Sequence, residues 1–182
     1  GVFLGDRDHQ AEVRLDHLLL RLTGLALGAT GNVTSRWTLF ANYTYLDSEV
    51  LQNAADGASD PVKGRQLTQT PRHSASLWST YDLGAWTFGY GATYQGAFYP
   101  NNANTPAYLE TDAYWVHRAM VGYQINERIG LQLNVNNLFD EEYYTSIRNN
   151  LTVNAAGVVT AGSGWANPGE GRSAVLTATF RF

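Results

Sequence analysis

Apolar and polar residues alternate with a period of two along much of this chain, and one face of that alternation is repeatedly aromatic. From Trp86 to Gln95, the residues Trp86, Phe88, Tyr90, Ala92 and Tyr94 alternate with Thr87, Gly89, Gly91, Thr93 and Gln95. Successive side chains of a strand point to opposite faces, so this pattern predicts a strand with one apolar side and one small or polar side. The same period sets Trp37, Leu39, Ala41, Tyr43 and Tyr45 against Arg36, Thr38, Asn42 and Thr44. It recurs with Ile129, Leu131, Leu133 and Val135 against Arg128, Gln132, Asn134 and Asn136. In the final segment Ala174, Leu176, Ala178, Phe180 and Phe182 oppose Ser173, Val175, Thr177, Thr179 and Arg181.

These patterns predict an all-β chain of seven strands, at Leu18 to Val33, Arg36 to Ser48, Arg72 to Tyr81, Trp86 to Gln95, Asp112 to Gln124, Arg128 to Phe139 and Arg172 to Phe182. The segment before Leu18 is expected to add an incomplete eighth strand or part of an outer loop. The connections alternate short and long, the last long one running from about Asp140 to Glu170. In bacterial outer-membrane barrels short turns lie on the periplasmic side and long loops outside. The parity closes correctly, because the last strand leaves a long outer loop and ends on the periplasmic side. Hairpin lengths in a soluble sandwich obey no such alternation. The expected fold is therefore about seven to eight antiparallel strands of a transmembrane β-barrel, with lipid on the apolar face and a polar lumen on the other.

Composition agrees with a wall wetted by lipid on one side. Of 182 residues, 15% are charged and 13% aromatic, including 11 Tyr and 5 Trp. Tyr43, Tyr45, Trp86, Tyr94, Trp115 and Tyr123 fall near strand ends, where an amphipathic ring keeps its body in lipid and its polar tip in water. No apolar run approaches the roughly 18 residues of a membrane-spanning helix. A net charge of −4, with 12 Lys and Arg spread along the chain, argues against a nucleic-acid partner. The absence of Cys removes disulfides and thiolate metal sites. The start, GVFLGDRDHQ, lacks a basic and apolar leader, so either a signal peptide has been removed or the chain is a piece of something longer.

Catalytic chemistry is not visible. His9, His17, His73 and His117 have no metal-ligand spacing, and His73 and His117 read as wall or lumen residues. There is no Gly-x-Ser-x-Gly elbow, the glycines between Ala161 and Gly164 lack the Lys of a phosphate loop, and Glu141 with Glu142 reads as a solvated strand exit. The expectation is no enzyme, no cofactor and no metal ligands.

Three stretches carry a likeness. Asn137, Leu138, Phe139 and Asp140, then Tyr143, then Gly171 and Arg172 leading a strand that ends in Phe182, form the first; GRQLTQTPRHSASLWSTYDL (Gly64 to Leu83) and RWTLFANYTYLDSEV (Arg36 to Val50) form the others. Together they resemble TonB-dependent outer-membrane receptors, particularly the siderophore-receptor branch, over nearly everything from Arg21 to Phe182. Ala26 departs from the pattern, since the family usually has an acidic residue there.

The resemblance implies that residues 1–182 are the carboxyl-terminal third of a plugged barrel of about 22 strands, with the plug absent from this chain and the remaining strands of the same barrel pairing with its edges. An unclosed sheet in lipid would leave backbone groups unsatisfied at several kcal/mol each. It also implies recognition and import of a ferric siderophore, catecholate-type as a first reading, driven by the TonB energy-coupling complex through the plug. This fragment alone would not transport. Iron would arrive inside the chelate. In the outer loops, Tyr108, Arg148 and Trp165 are the expected substrate contacts, offering aromatic faces and a guanidinium fork to a flat anionic ligand, with Asn101, Asn102, Asn104, Asn149 and Asn150 beside them. Two other readings stand beside this one: a small self-closed pore or adhesin-like barrel, and a soluble all-β ligand-binding domain.

Overall fold

The computed structural model describes residues 3–15, 18–52, 62–100, 110–149, 152–153, 159–160 and 164–182. The strands are β1 (Phe3–Leu15), β2 (Leu18–Asn32), β3 (Trp37–Gln52), β4 (His73–Leu83), β5 (Trp86–Gln95), β6 (Tyr114–Gln124) and β7 (Ile129–Asn136). They continue with β8 (Tyr144–Asn149), β9 (Thr152–Val153), β10 (Val159–Thr160), β11 (Gly164–Pro168) and β12 (Ser173–Phe180). One eight-stranded antiparallel sheet runs in the order β1-β2-β3-β4-β5-β6-β7-β12, and among the described residues β1 and β12 are its edges.

Two expectations are corrected. The segment before Leu18 is a full strand of 13 residues paired along its whole length with β2. The long last connection is not plain loop, because β8 pairs with β11 and β9 with β10 inside it. Strand ends shift as well: β3 continues to Gln52, and β7 stops at Asn136 because Asn137 takes a left-handed conformation with φ 46°.

Register confirms the two faces. Tyr81 pairs with Phe88, Ser79 with Tyr90, and Leu133 with Leu176 on the apolar side, while Trp78 faces Gly91 and Asn134 faces Val175 on the other. The apolar side is exposed: Trp86 by 44%, Phe88 by 42%, Leu176 by 69%. In a water-soluble sandwich these side chains would be the core, since exposed apolar area of this extent has to be covered by something. The exposed band is the one expected to face lipid in a transmembrane barrel wall.

Aromatic pairs mark both ends of that apolar band. Trp86 and Tyr123 lie 4.3 Å apart at the short-turn end, where Trp37 Nε1 donates to Ser79 Oγ at 2.8 Å. Tyr94 and Trp115 lie 4.8 Å apart toward the long-loop end. His73 and His117 are wall residues on the same outward face, each with a tyrosine partner: Tyr43 Oη lies 2.8 Å from His73 Nδ1 and Tyr90 Oη 2.7 Å from His117 Nδ1. Such pairing satisfies polar tips that lipid cannot.

On the inner face Trp78 lies flat across β5. A Cβ at Gly91 would stand 2.5 Å from its ring and 2.8 Å from the Leu77 carbonyl, so the Gly-Tyr-Gly spacing makes room for the indole. Phe40 pairs in register with Trp78, an apolar exception on this side.

At the outer rim, residues 62–72 fold back on β3. Gly64 N–H donates to Val50 O at 2.8 Å, Val50 N–H to Arg65 O at 2.9 Å, and Leu67 N–H to Ser48 Oγ at 3.1 Å. Gln69 N–H then reaches Tyr99 O at 2.9 Å. Val50 and Phe98, 2% and 1% exposed, are the most buried apolar side chains described.

Candidate functional site

The Asn137 to Asp140 stretch forms a clasp at the outer end of β7. Asparagine tolerates the left-handed conformation that Asn137 adopts. Its buried side chain donates from Nδ2 to Glu141 O at 2.9 Å and Glu170 O at 3.0 Å, and its Oδ1 accepts from Glu141 N–H at 2.8 Å. Asp140 Oδ1 accepts from Arg172 N–H at 3.0 Å, and Oδ2 lies 3.6 Å from the Arg172 guanidinium. Tyr143 occupies the space where a side chain at Gly169 would lie, and Gly169 N–H donates to Tyr143 O at 2.8 Å. Residues about 30 positions apart are thereby stitched together, fixing where the β8–β11 hairpin leaves the wall.

Below that clasp, on the lumenal face, is a cavity of about 330 Å³ lined by Thr93, Tyr114, Val116, Arg118, Asn136, Asn137, Tyr143, Thr145 and Glu170. The Tyr114 and Tyr143 rings lie 4.5 Å apart, tilted by 35°, and Tyr114 Oη donates to Gln95 Oε1 at 2.9 Å. Arg118 reaches Thr93 Oγ1 at 3.4 Å and lies 5.8 Å from the Trp78 ring. None of the ion pairs among the described residues involves Arg118, so its fork faces the cavity without a carboxylate partner. A guanidinium near the Trp78 ring, in a lining that also carries tyrosine, amide and hydroxyl groups and the Glu170 side chain, offers a planar ligand both a fork for anionic oxygens and aromatic faces. Among the described residues no three His, Asp or Glu side chains converge as a metal site.

Arg148 and Trp165, expected on the outer loops, are brought together as direct cross-strand partners on the β8–β11 hairpin. Asn167 and Ser146 continue that face, with Asn167 Nδ2 3.1 Å from Ser146 Oγ. Thr145 lines the cavity, so strand alternation puts Arg148 and Trp165 on the opposite face of the hairpin. Tyr108 lies outside the described residues, as do Asn101, Asn102, Asn104 and Asn150. Sequence reasoning passed over Tyr114 and Arg118, and named Tyr143 only as part of the family-like motif and not as a site residue. The period of two does place Tyr114, Val116 and Arg118 together, opposite Trp115, His117 and Ala119.

Comparison with known proteins gives this geometry a family. The family model described as TonB dependent receptor-like, beta-barrel, matches residues 20–138. The probable TonB-dependent siderophore receptor PiuA of Acinetobacter baumannii is 36% identical over 172 residues, covering 89% of this chain and 21% of that protein. The catecholate siderophore receptor Fiu of Escherichia coli strain K12 is 34% identical over 170 residues, covering 89% and 20%. The crystal structure of PiuA superposes with a TM-score of 0.73 at 33% identity over 98% of this chain and 25% of that one. The closed form of Fiu gives 0.68 at 33% identity over 91% and 21%. The chain thus spans about a fifth of the length of the curated relatives it matches. These relatives are receptors and not enzymes, and their likeness over nearly the whole chain removes the soluble-domain reading. The chain is a section of the wall of an outer-membrane β-barrel and belongs to the siderophore-receptor branch of the TonB-dependent receptor family.

Proposed function

We propose that this chain is the carboxyl-terminal part of a receptor that binds a ferric siderophore of catecholate type and imports it with TonB-coupled energy. The plug and the remaining strands belong to the rest of that barrel. The observation that carries the reading is Arg118, unpaired with any carboxylate among the described residues, facing a lumenal cavity that the adjoining rings of Tyr114 and Tyr143 also line. A ferric tris-catecholate is anionic and aromatic, and both features meet a complement there. The similarity to a catecholate receptor supports the same chemistry. Arg148 and Trp165, paired on the hairpin, form an outer contact, and Tyr108 belongs to the same expected set. Iron stays within the chelate, and no protein cofactor takes part. The self-closed pore is the weaker reading, because the sheet order leaves β1 and β12 unpaired with each other.

The test is a titration of the full-length receptor in detergent micelles with the ferric complex of dihydroxybenzoate, followed by tryptophan quenching. Arg118→Gln is expected to weaken binding about tenfold or more, the scale of one charge-assisted contact of about 1.5–3 kcal/mol. Arg148→Ala with Trp165→Ala is expected to weaken it by a smaller factor. Equal affinity of wild type and Arg118→Gln would remove the cavity from the binding site, and a wild-type protein that binds no ferric catecholate would overturn the substrate reading.

A further inference from the structure

A second lumenal cavity, of about 310 Å³, lies at the short-turn end of the same wall. Its lining includes Arg128, Arg181, Gln124, Gln132 and Thr179, and Gly122 and Gly130 leave its floor without side chains. Arg181 N–H donates to Arg128 O at 2.9 Å, which locks the two arginines side by side where β7 begins and β12 ends. Among the described residues neither guanidinium has a carboxylate partner. Asp82, on a lumenal position of β4, accepts from Thr87 Oγ1 at 2.7 Å, and Glu127, beside Arg128 in the turn, is in none of the ion pairs among the described residues. Neither the clasp nor the outer cavity uses these groups.

Arg118 stands on the same lumenal face of β6, six residues before Gln124, which is about 20 Å along the strand at about 3.3 Å per residue. One unpaired cation near the outer cavity is thus followed, down the same three neighbouring strands, by a pair at the periplasmic mouth.

We infer that Arg128 and Arg181 form an exit site for the anionic cargo, receiving it after it leaves Arg118. The inference rests on the proposed uptake of an anionic chelate. In a lumen that the plug largely fills, charge is screened less than in open water, so a fixed cation pair on the wall lowers the barrier for an anion moving toward it. Guanidinium is more weakly hydrated than ammonium and presents a planar fork to carboxylate or phenolate oxygens. A site of this kind acts on passage and not on capture, because it lies a strand length away from the outer cavity.

The experiment compares the full-length receptor with its Arg128→Gln/Arg181→Gln variant in iron-starved cells, using the radio-iron complex of dihydroxybenzoate. Surface binding is measured with the energy supply poisoned, and uptake with it intact. The expected result is unchanged surface binding and uptake slowed about fivefold or more. Arg128→Lys/Arg181→Lys is expected to restore most of the uptake, because it keeps the charge. Uptake at the wild-type rate in the glutamine variant, at equal surface level, overturns the exit site. So does failure of the lysine variant to recover, since that marks a structural role. A wild-type receptor that binds no ferric catecholate fails at the first measurement, and so overturns the receptor reading before the exit site is tested.

Discussion

Asn137 is buried to 2% exposure, and all three of its side-chain hydrogen bonds go to backbone. Replacing it by alanine leaves two carbonyls and one N–H without the side-chain partners they have here. The expected cost is about 2–4 kcal/mol, read as a lowered urea midpoint for the receptor in lipid vesicles. Faster protease cleavage within residues 140–170 should accompany it. Asn137→Asp should recover little, because a carboxylate can accept from Glu141 N–H but cannot donate to either carbonyl. By contrast Asp140→Leu is expected to cost more through the Arg172 N–H it strands than through the ion pair, which is half exposed and worth at most about 1 kcal/mol. Gly91→Ala pushes a methyl group into Trp78 and the Leu77 carbonyl, and should shift the near-ultraviolet circular dichroism of that indole. At this scale the sequence showed that Asn137, Asp140 and Arg172 mattered but not why. Their partners lie about 30 residues away, and the φ of 46° at Asn137 leaves no trace in hydrophobic pattern.

At the level of strands, the two faces should respond oppositely to the same change. Leu133 is 40% exposed on the lipid side and Gln132, its neighbour in β7, looks into the lumen. Leu133→Arg is expected to cost about 2–4 kcal/mol if near the bilayer midplane and Gln132→Arg close to nothing, measured by folding into lipid vesicles and heat-modifiable gel mobility. Equal effects would mean that the faces are assigned wrongly. Strands from Trp37 to Gln124 were legible because aromatic or aliphatic residues fill most alternate positions, with His73, Ser79 and His117 as exceptions. The first strand was not, because Asp6, Arg7, Asp8, His9 and Gln10 give it no apolar face to count. The β8–β11 hairpin was missed for a related reason: it is short and polar, and its pairing of Arg148 with Trp165 depends on closure across a long intervening segment. The cavity residues were half legible. Alternation groups Tyr114 with Arg118, but Tyr143 joins them only through the clasp.

For the whole molecule, the open sheet is the decisive property. Eight strands end in two edges, and lipid supplies no hydrogen bonds to either, so the wall needs further strands to be stable in a bilayer. The relatives, of which this chain matches about a fifth, are large enough to supply them. Connection parity foretold this architecture, whereas the number of missing strands left no mark in the residues present. The most direct measurement is the intact mass of the native gene product purified from the outer membrane, identified by a peptide spanning Asn134 to Tyr144. A mass several times the 20.0 kDa of this chain is the predicted result; a folded 20.0 kDa species in the membrane would contradict the account and leave a small self-closed barrel in its place.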